Sequence, residues 1–188
     1  NKPARHPIKA LYAEGAAMIV RGRTVLLRTV REGDLDTLYA FFTDIENRGL
    51  YFPIFIPSET QFKREFAENG FWQNDEGDAL ICDLDGSILG VILFFRATPY
   101  FDGFESGYRL FDPVYSGRGA MTEALALMTS VLFAMKKINR LELKIMPENT
   151  ASVRVAEKNG YTLEGVARGC LFHRGAYRDM AIYALLRS

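Results

Sequence analysis

Residues 104–122 set the tightest constraint on what this chain can become. FESGYRLF reads as a short strand, DPVY turns out of it, and SGRGAMT opens into a helix. Gly117 and Gly119 carry no Cβ, so the backbone can curl tightly and point successive N–H groups into one concavity. The helix, expected over 122–136, adds its own free N–H groups and the positive end of its dipole. Together they make an anion seat suited to phosphate.

The wording of the glycines excludes two common phosphate loops. A nucleotide-hydrolase loop needs G-x-x-x-x-G-K-[ST], and no Lys-Ser or Lys-Thr follows Gly119. A dinucleotide fold needs G-x-G-x-x-G early in the chain, which is absent.

The remaining elements follow from periodicity. Alternation marks a first strand over 23–29, and EGDLDTLYAFF has the spacing of an amphipathic helix. Ser58 with Gln61 predicts a capped second helix over 59–69, ended by Gly70. Two strands, 79–84 and 87–96, flank Asp85-Gly86, a strong hairpin signal. The second of them, ILGVILFF, is continuously apolar and is expected to be central and covered on both faces. In the 122–136 helix, Leu125, Met128, Leu132 and Met135 form one core stripe. LELKIM over 141–146 alternates as a strand, Asn149 or Thr150 caps a short helix running to Glu157, and two strands over 161–172 and 179–186 flank the turn HRGAY. The helical crossover between the DPVY strand and LELKIM makes that pair parallel. The plan is a mixed α/β (α+β) domain over 18–188, with a mostly antiparallel central sheet, one parallel pair and about four helices, preceded by a tail over 1–17.

Composition narrows the partners. With 188 residues the chain buries a sizeable core as one domain, and 23 basic against 23 acidic residues leave no electrostatic footprint for nucleic acid or a membrane surface. No 18-residue apolar run and no signal-peptide arrangement appears, so the expected compartment is the cytoplasm. Cys82 and Cys170 fall in apolar strand-like runs and read as buried free thiols, with a disulfide or a reactive thiol as the alternatives. His6 and His173 lie far apart, and no metal is expected. His173, beside an Arg-Gly turn, reads as a solvated loop residue rather than a base, and Asp179 as a brace for that turn through Arg174 or Arg178. A homodimer face cannot be told from a substrate groove at this level.

Two strings carry a family resemblance. DPVYSGRGAMTEA resembles the pyrophosphate loop of the GNAT acyl-CoA N-acyltransferases, and PENTASVRVAEKNGY resembles the N-x-x-S-x-[RK]-V-x-E-K-x-G-[FY] string of the branch that acetylates ribosomal-protein N-termini (RimJ/RimL-like). Asn149, Ser152, Arg154, Lys158, Gly160 and Tyr161 are in register. EGVAR and RDMAIYALL also resemble that branch, so the likeness spans 18–188. It implies an acetyl-CoA-dependent N-acetyltransferase, with coenzyme A as cosubstrate and an amine-bearing acceptor, a protein N-terminus or a small molecule. An acyl-CoA-binding sensor or scaffold without turnover is the alternative.

The resemblance also implies a site. The pantetheine arm pairs with a splayed strand, the thioester lies near Leu110 and Phe111, and a backbone N–H near Phe111 meets the oxyanion. Ser116, Gly117, Arg118, Gly119, Ala120, Met121 and Thr122 hold the pyrophosphate, and Asn149 bonds an amide of the arm. An acceptor amine, of pKa about 8 at a chain terminus and about 10 on a lysine-like group, must lose a proton before it attacks. Glu105, in E-S-G-Y, is the candidate base, with a surface glutamate as the alternative. From Gly107 to Asp112 the chain is one residue longer than the family string, so keeping Glu105 toward the cleft calls for a bulge. Ser152 is the candidate donor to the sulfur, or a helix cap, since Ala156 stands where many relatives carry a tyrosine. Tyr51, Phe52 and Phe55 plug the space between two helices or line the acceptor channel, and both can hold at once.

Overall fold

The computed structural model describes residues 18–45, 49–52, 56–96 and 98–187. Its elements in chain order are β1 (Ile19–Arg21), β2 (Val25–Thr29), α1 (Leu35–Thr43), α2 (Glu59–Asn69), β3 (Glu76–Asp83), β4 (Ile88–Phe95), β5 (Gly103–Leu110), α3 (Ala120–Met135), β6 (Arg140–Ile145), α4 (Thr150–Lys158), β7 (Thr162–His173) and β8 (Ala176–Leu186). The expected tail over 1–17 lies outside the described residues. One mixed sheet runs β1-β2-β3-β4-β5-β6-β8-β7. Among the described residues only β5 and β6 pair in parallel, as the helical crossover requires.

Both faces of the central strands are covered, which is why they read as unbroken apolar runs. Along β3, Ala79 and Ile81 enter the core beneath α3 and α4, while Leu80 and Cys82 enter a second core beneath α1 and α2. Leu125, Met128 and Leu132 drive α3 onto the sheet. The expected stripe ends one turn early, because Met135, in the last turn of α3, is 46% exposed. Helix α2 has the predicted bounds: Ser58 Oγ accepts from the Gln61 N–H, and Gly70 closes it.

Four expectations are corrected. The strand expected over 23–29 starts at Val25 as β2, and an unexpected strand, β1, precedes it, because Gly22 N–H donates to Val25 O and turns the chain between the two. Cys170 is exposed, since it lies on the edge strand β7 where pairing with β8 slips between Ala167 and Leu171. His173 is only 5% exposed, held at the end of β7 by the Leu50 carbonyl. Asp179 accepts from the Gly169 N–H, bracing the slipped stretch of β7 rather than the turn.

Candidate active site

The parallel pair closes for three rungs and then opens. Gly103, Phe104 and Glu105 face Arg140, Leu141 and Glu142. Gly103 permits the closure, because a Cβ there would sit 2.7 Å from the Arg140 carbonyl oxygen. Beyond Glu105 no rung joins the strands, although β5 continues to Leu110 and β6 to Ile145. On its other side β5 stays regularly paired with β4, and Phe111 N–H donates to Leu89 O. Alternation then turns the N–H and C=O groups of Tyr108 and Leu110 into the opening. The first residue past the last rung is Ser106, 4% exposed, whose hydroxyl has no hydrogen-bond partner among the described residues.

The mouth of the opening leads to the glycine loop. Asp112 accepts from Val114 N–H and starts a single 3-10 turn, after which Gly117 and Gly119 adopt φ of 76° and 83°. Nothing lies within 4 Å of a Cβ built on either glycine, so the concavity is open. Helix α3 begins at Ala120, two residues earlier than expected. Its first backbone bond runs from Glu123 N–H to Gly119 O, and no side chain caps it. The N–H groups of Ala120, Met121 and Thr122 therefore have no intrahelical partner. Two contacts fix this first turn. The Glu123 carboxylate accepts from the Thr24 N–H at 2.9 Å, from the Thr24 hydroxyl and from the Arg23 N–H. Asn159 Nδ2 donates to Thr122 O at 3.2 Å. A free anion seat at the end of an open, amide-edged slot fits a long amide-bearing chain with a phosphate terminus.

Glu105 lies on the α1/α2 side of the sheet, and β5 shows no bulge against β4 from Glu105 to Leu110. The bulge expected to hold it toward the cleft is therefore absent, and plain alternation puts Glu105 on the same face as Arg109. Lys144 Nζ donates to Glu105 Oε2 at 2.7 Å. Arg140 pairs with Glu142 at 2.7 Å and with Glu164 at 2.6 Å, so three carboxylates and two cations line this face at the closed end of the slot.

On the opposite side, Asn149 Oδ1 accepts from the Ser152 N–H at 3.2 Å and caps α4. The cap reading therefore passes from Ser152 to Asn149. Tyr108 donates its hydroxyl to the Ser152 carbonyl at 3.3 Å, and burial pushes its phenol well above the usual range. Phe111 is corrected. Its ring stacks on Phe41 at 4.2 Å in the core beneath α1 and α2, and its N–H is committed to Leu89 O rather than open to an oxyanion.

Between α1 and α2, Tyr51 and Phe52 contact residues that flank the slot. Tyr51 donates to Glu148 O at 3.4 Å, and the Phe52 ring lies 5.6 Å from the guanidinium of Arg109. Arg109, 7% exposed, also donates to Phe41 O at 3.3 Å, tying β5 to the end of α1. Phe55 lies outside the described residues. Sequence reasoning missed Ser106, Arg109 and Lys144. The available signal was polarity inside otherwise apolar strands, in SGYRLF and LELKIM.

The family pattern described as "Acetyltransferase (GNAT) domain" matches residues 24–162. The chain belongs to the GNAT acetyltransferase family. Over 162 residues this GNAT chain is 27% identical to the Ribosomal-protein-serine acetyltransferase of Escherichia coli (strain K12), covering 84% of this chain and 90% of that one. It is 40% identical over 80 residues to the protein named Probable N-acetyltransferase YjcK of Bacillus subtilis (strain 168), a match to 43% of this chain that spans less than half of that relative, 44%. Among solved structures, RimL, a ribosomal-protein alpha-N-acetyltransferase in complex with coenzyme A, superposes with a TM-score of 0.76 at 24% identity, covering 89% of this chain and 97% of that one. At that identity the likeness is one of fold.

Proposed function

We propose that this GNAT protein is an acetyl-CoA-dependent N-acetyltransferase that acts in the cytoplasm on a primary amine. The observation that carries the reading is the β5–β6 pair, closed for three rungs and open above them, whose mouth ends at the uncapped start of α3. The N–H groups over 117–122 hold the pyrophosphate, with Arg118 beside them. The backbone edges of Tyr108 and Leu110 pair with the amides of the arm as a further strand would. Asn149 contributes only its Nδ2, because its Oδ1 is the cap of α4. The bound cosubstrate supplies an acyl thioester, whose sulfur is a good leaving group.

The chain supplies the proton traffic. Glu105 takes the proton of the acceptor's ammonium, and the Ser152 hydroxyl donates a hydrogen bond to the departing thiolate, whose ordinary pKa of about 8.5 lets it leave without a strong acid. Tyr51 and Phe52 form one wall of the acceptor channel. The acceptor class favoured is a protein N-terminus. The E. coli relative is named for acetylating a ribosomal-protein serine, and the balanced charge of 23 basic and 23 acidic residues offers little to a strongly polycationic acceptor.

A second reading, an acyl-CoA-binding module without turnover, draws on Lys144 standing on the proposed base. Calorimetry with acetyl-CoA, followed by a thiol-release assay with N-terminal peptides and small amines, separates the two. Binding with thiol release supports the enzyme, binding with no release for any amine supports the module, and absence of binding removes both.

A further inference from the structure

The ammonium of Lys144 already stands where an acceptor's amine must stand to use Glu105. Its Nζ is 2.7 Å from Glu105 Oε2. Glu105 is the last β5 residue paired with β6, and Lys144 lies two residues beyond Glu142, on the stretch of β6 that lines the opening. A third of its side chain is exposed, 33% against 16% for Glu105. The other lysines of the described residues stand elsewhere. Lys63 is held on α2 between Asp36 and Glu59, Lys136 caps the far end of α3, Lys137 follows it, and Lys158 ends α4.

We propose that Lys144 is a self-acceptor, a modification site acetylated by the acyl thioester seated in its own slot. The inference rests on the reading above that the slot holds acyl-CoA and that Glu105 takes the acceptor's proton. Glu105 removes one proton from the Lys144 ammonium, and the freed lone pair of Nζ attacks the thioester carbonyl carbon. The N–C bond forms, the C–S bond breaks, and the thiolate leaves with its electron pair and is protonated. The products are acetyl-lysine and free coenzyme A, with one proton released, and nothing is oxidised or reduced. The acetylated side chain is neutral, so its ion pair with Glu105 is lost and the carboxylate is released to an external amine. Lys144 thus acts as a plug that one acylation removes.

Peptide mass mapping of the whole protein, incubated with acetyl-CoA at about pH 8, tests this. Lys144 is expected to be acetylated roughly a hundredfold faster than Lys63, the lower end of what a positioned base supplies. Glu105→Gln should bring it down to the Lys63 rate, with the fold checked by circular dichroism. Lys144→Arg, which keeps a cation beside Glu105, should abolish the fast-forming adduct. A readout without turnover uses free coenzyme A, which has no acyl group to give. At saturation it should shield Lys144, and not Lys63, from the amine reagent N-hydroxysulfosuccinimide acetate. If calorimetry shows acetyl-CoA bound while Lys144 reacts no faster than Lys63, the inference is overturned and the cofactor reading stands. If no acetyl-CoA binds, both fall.

Discussion

Tyr108 on β5 donates its hydroxyl to the carbonyl of Ser152 on α4, spanning the opening of the sheet at 3.3 Å. The bond ties the strand whose backbone edge faces the slot to the helix that presents the proposed sulfur donor, so the two walls keep a fixed separation. Tyr108→Phe removes the donor and leaves the ring. The expected stability loss is about 0.5–1.5 kcal/mol, the net value of one such bond, read as a lower midpoint in urea. Because burial raises the phenol well above its ordinary value, the hydroxyl donates at every working pH and the loss should not vary with pH. Thiol release should slow further than the stability change accounts for, since Ser152 loses its tether. A rate equal to wild type would separate Ser152 from the chemistry.

The glycine loop is tested by filling it. Gly119 has φ of 83° and open space where a Cβ would be, so Gly119→Trp puts a ring into the anion seat and forces a bulky residue into a left-handed conformation. The acetyl-CoA dissociation constant should rise about tenfold or more, the loss of one to two charge-assisted bonds. Gly86→Trp, at φ of 98° in the β3–β4 hairpin, is the control. It carries the same backbone strain and should leave the dissociation constant unchanged.

Much of this architecture was legible because its signals are local. The Ser58 cap, the Asp85-Gly86 turn and the helical crossover from β5 to β6 each arise within a few residues, and each was placed nearly where it stands. The failures share a different cause. β1 exists because Gly22 and the Glu123 carboxylate hold a turn, and Glu123 lies a hundred residues away in sequence. His173 is buried with a ring nitrogen on the carbonyl of Leu50, which lies 123 residues away in sequence. The resemblance places Phe111 beside the thioester, whereas its partners Phe41 and Leu89 are set by tertiary packing. In the site, Gly117 and Gly119 were visible as a pattern, but Lys144 on Glu105 required knowing which strands adjoin and where their rungs stop.

The Glu123 contact has a pH signature. Burial pushes its carboxyl up, but the bonds from the Thr24 hydroxyl and from the Arg23 and Thr24 amides together outweigh burial and hold it below the ordinary carboxylate range. A carboxyl lowered by folding adds stability that is fully present above its unfolded value, about 4.3, and that disappears as pH falls through the lower folded value. Glu123→Gln should therefore cost about 1–2 kcal/mol at pH 7, from weaker neutral bonds, and the gap to wild type should close as the pH drops below about 4. Thermal melts of both proteins across this range decide it. A gap that stays constant down to strongly acidic pH would show that the charge on Glu123 contributes nothing.

His173 and Arg174 hold Gly49 and Leu50, just ahead of Tyr51 and Phe52. A ring nitrogen of His173 lies 2.7 Å from Leu50 O, and Arg174 donates to Gly49 O at 3.0 Å. A carbonyl can only accept, so Nε2 carries the proton, and the bond survives whether the imidazole is neutral or charged. The two bonds fasten the β7–β8 turn to the segment that presents Tyr51 and Phe52, at a distance from the glycine loop. His173→Ala should therefore raise the KM for the acceptor severalfold while leaving the acetyl-CoA dissociation constant unchanged. His173→Gln, whose amide can still donate to Leu50 O, should recover most of the loss. Acceptor KM measured at saturating acetyl-CoA, with cofactor affinity measured by calorimetry on the same variants, gives both numbers. Equal losses in both would mean that the bond supports the fold at large. A loss confined to acceptor KM, recovered by glutamine, is the outcome expected of a clamp on the acceptor channel.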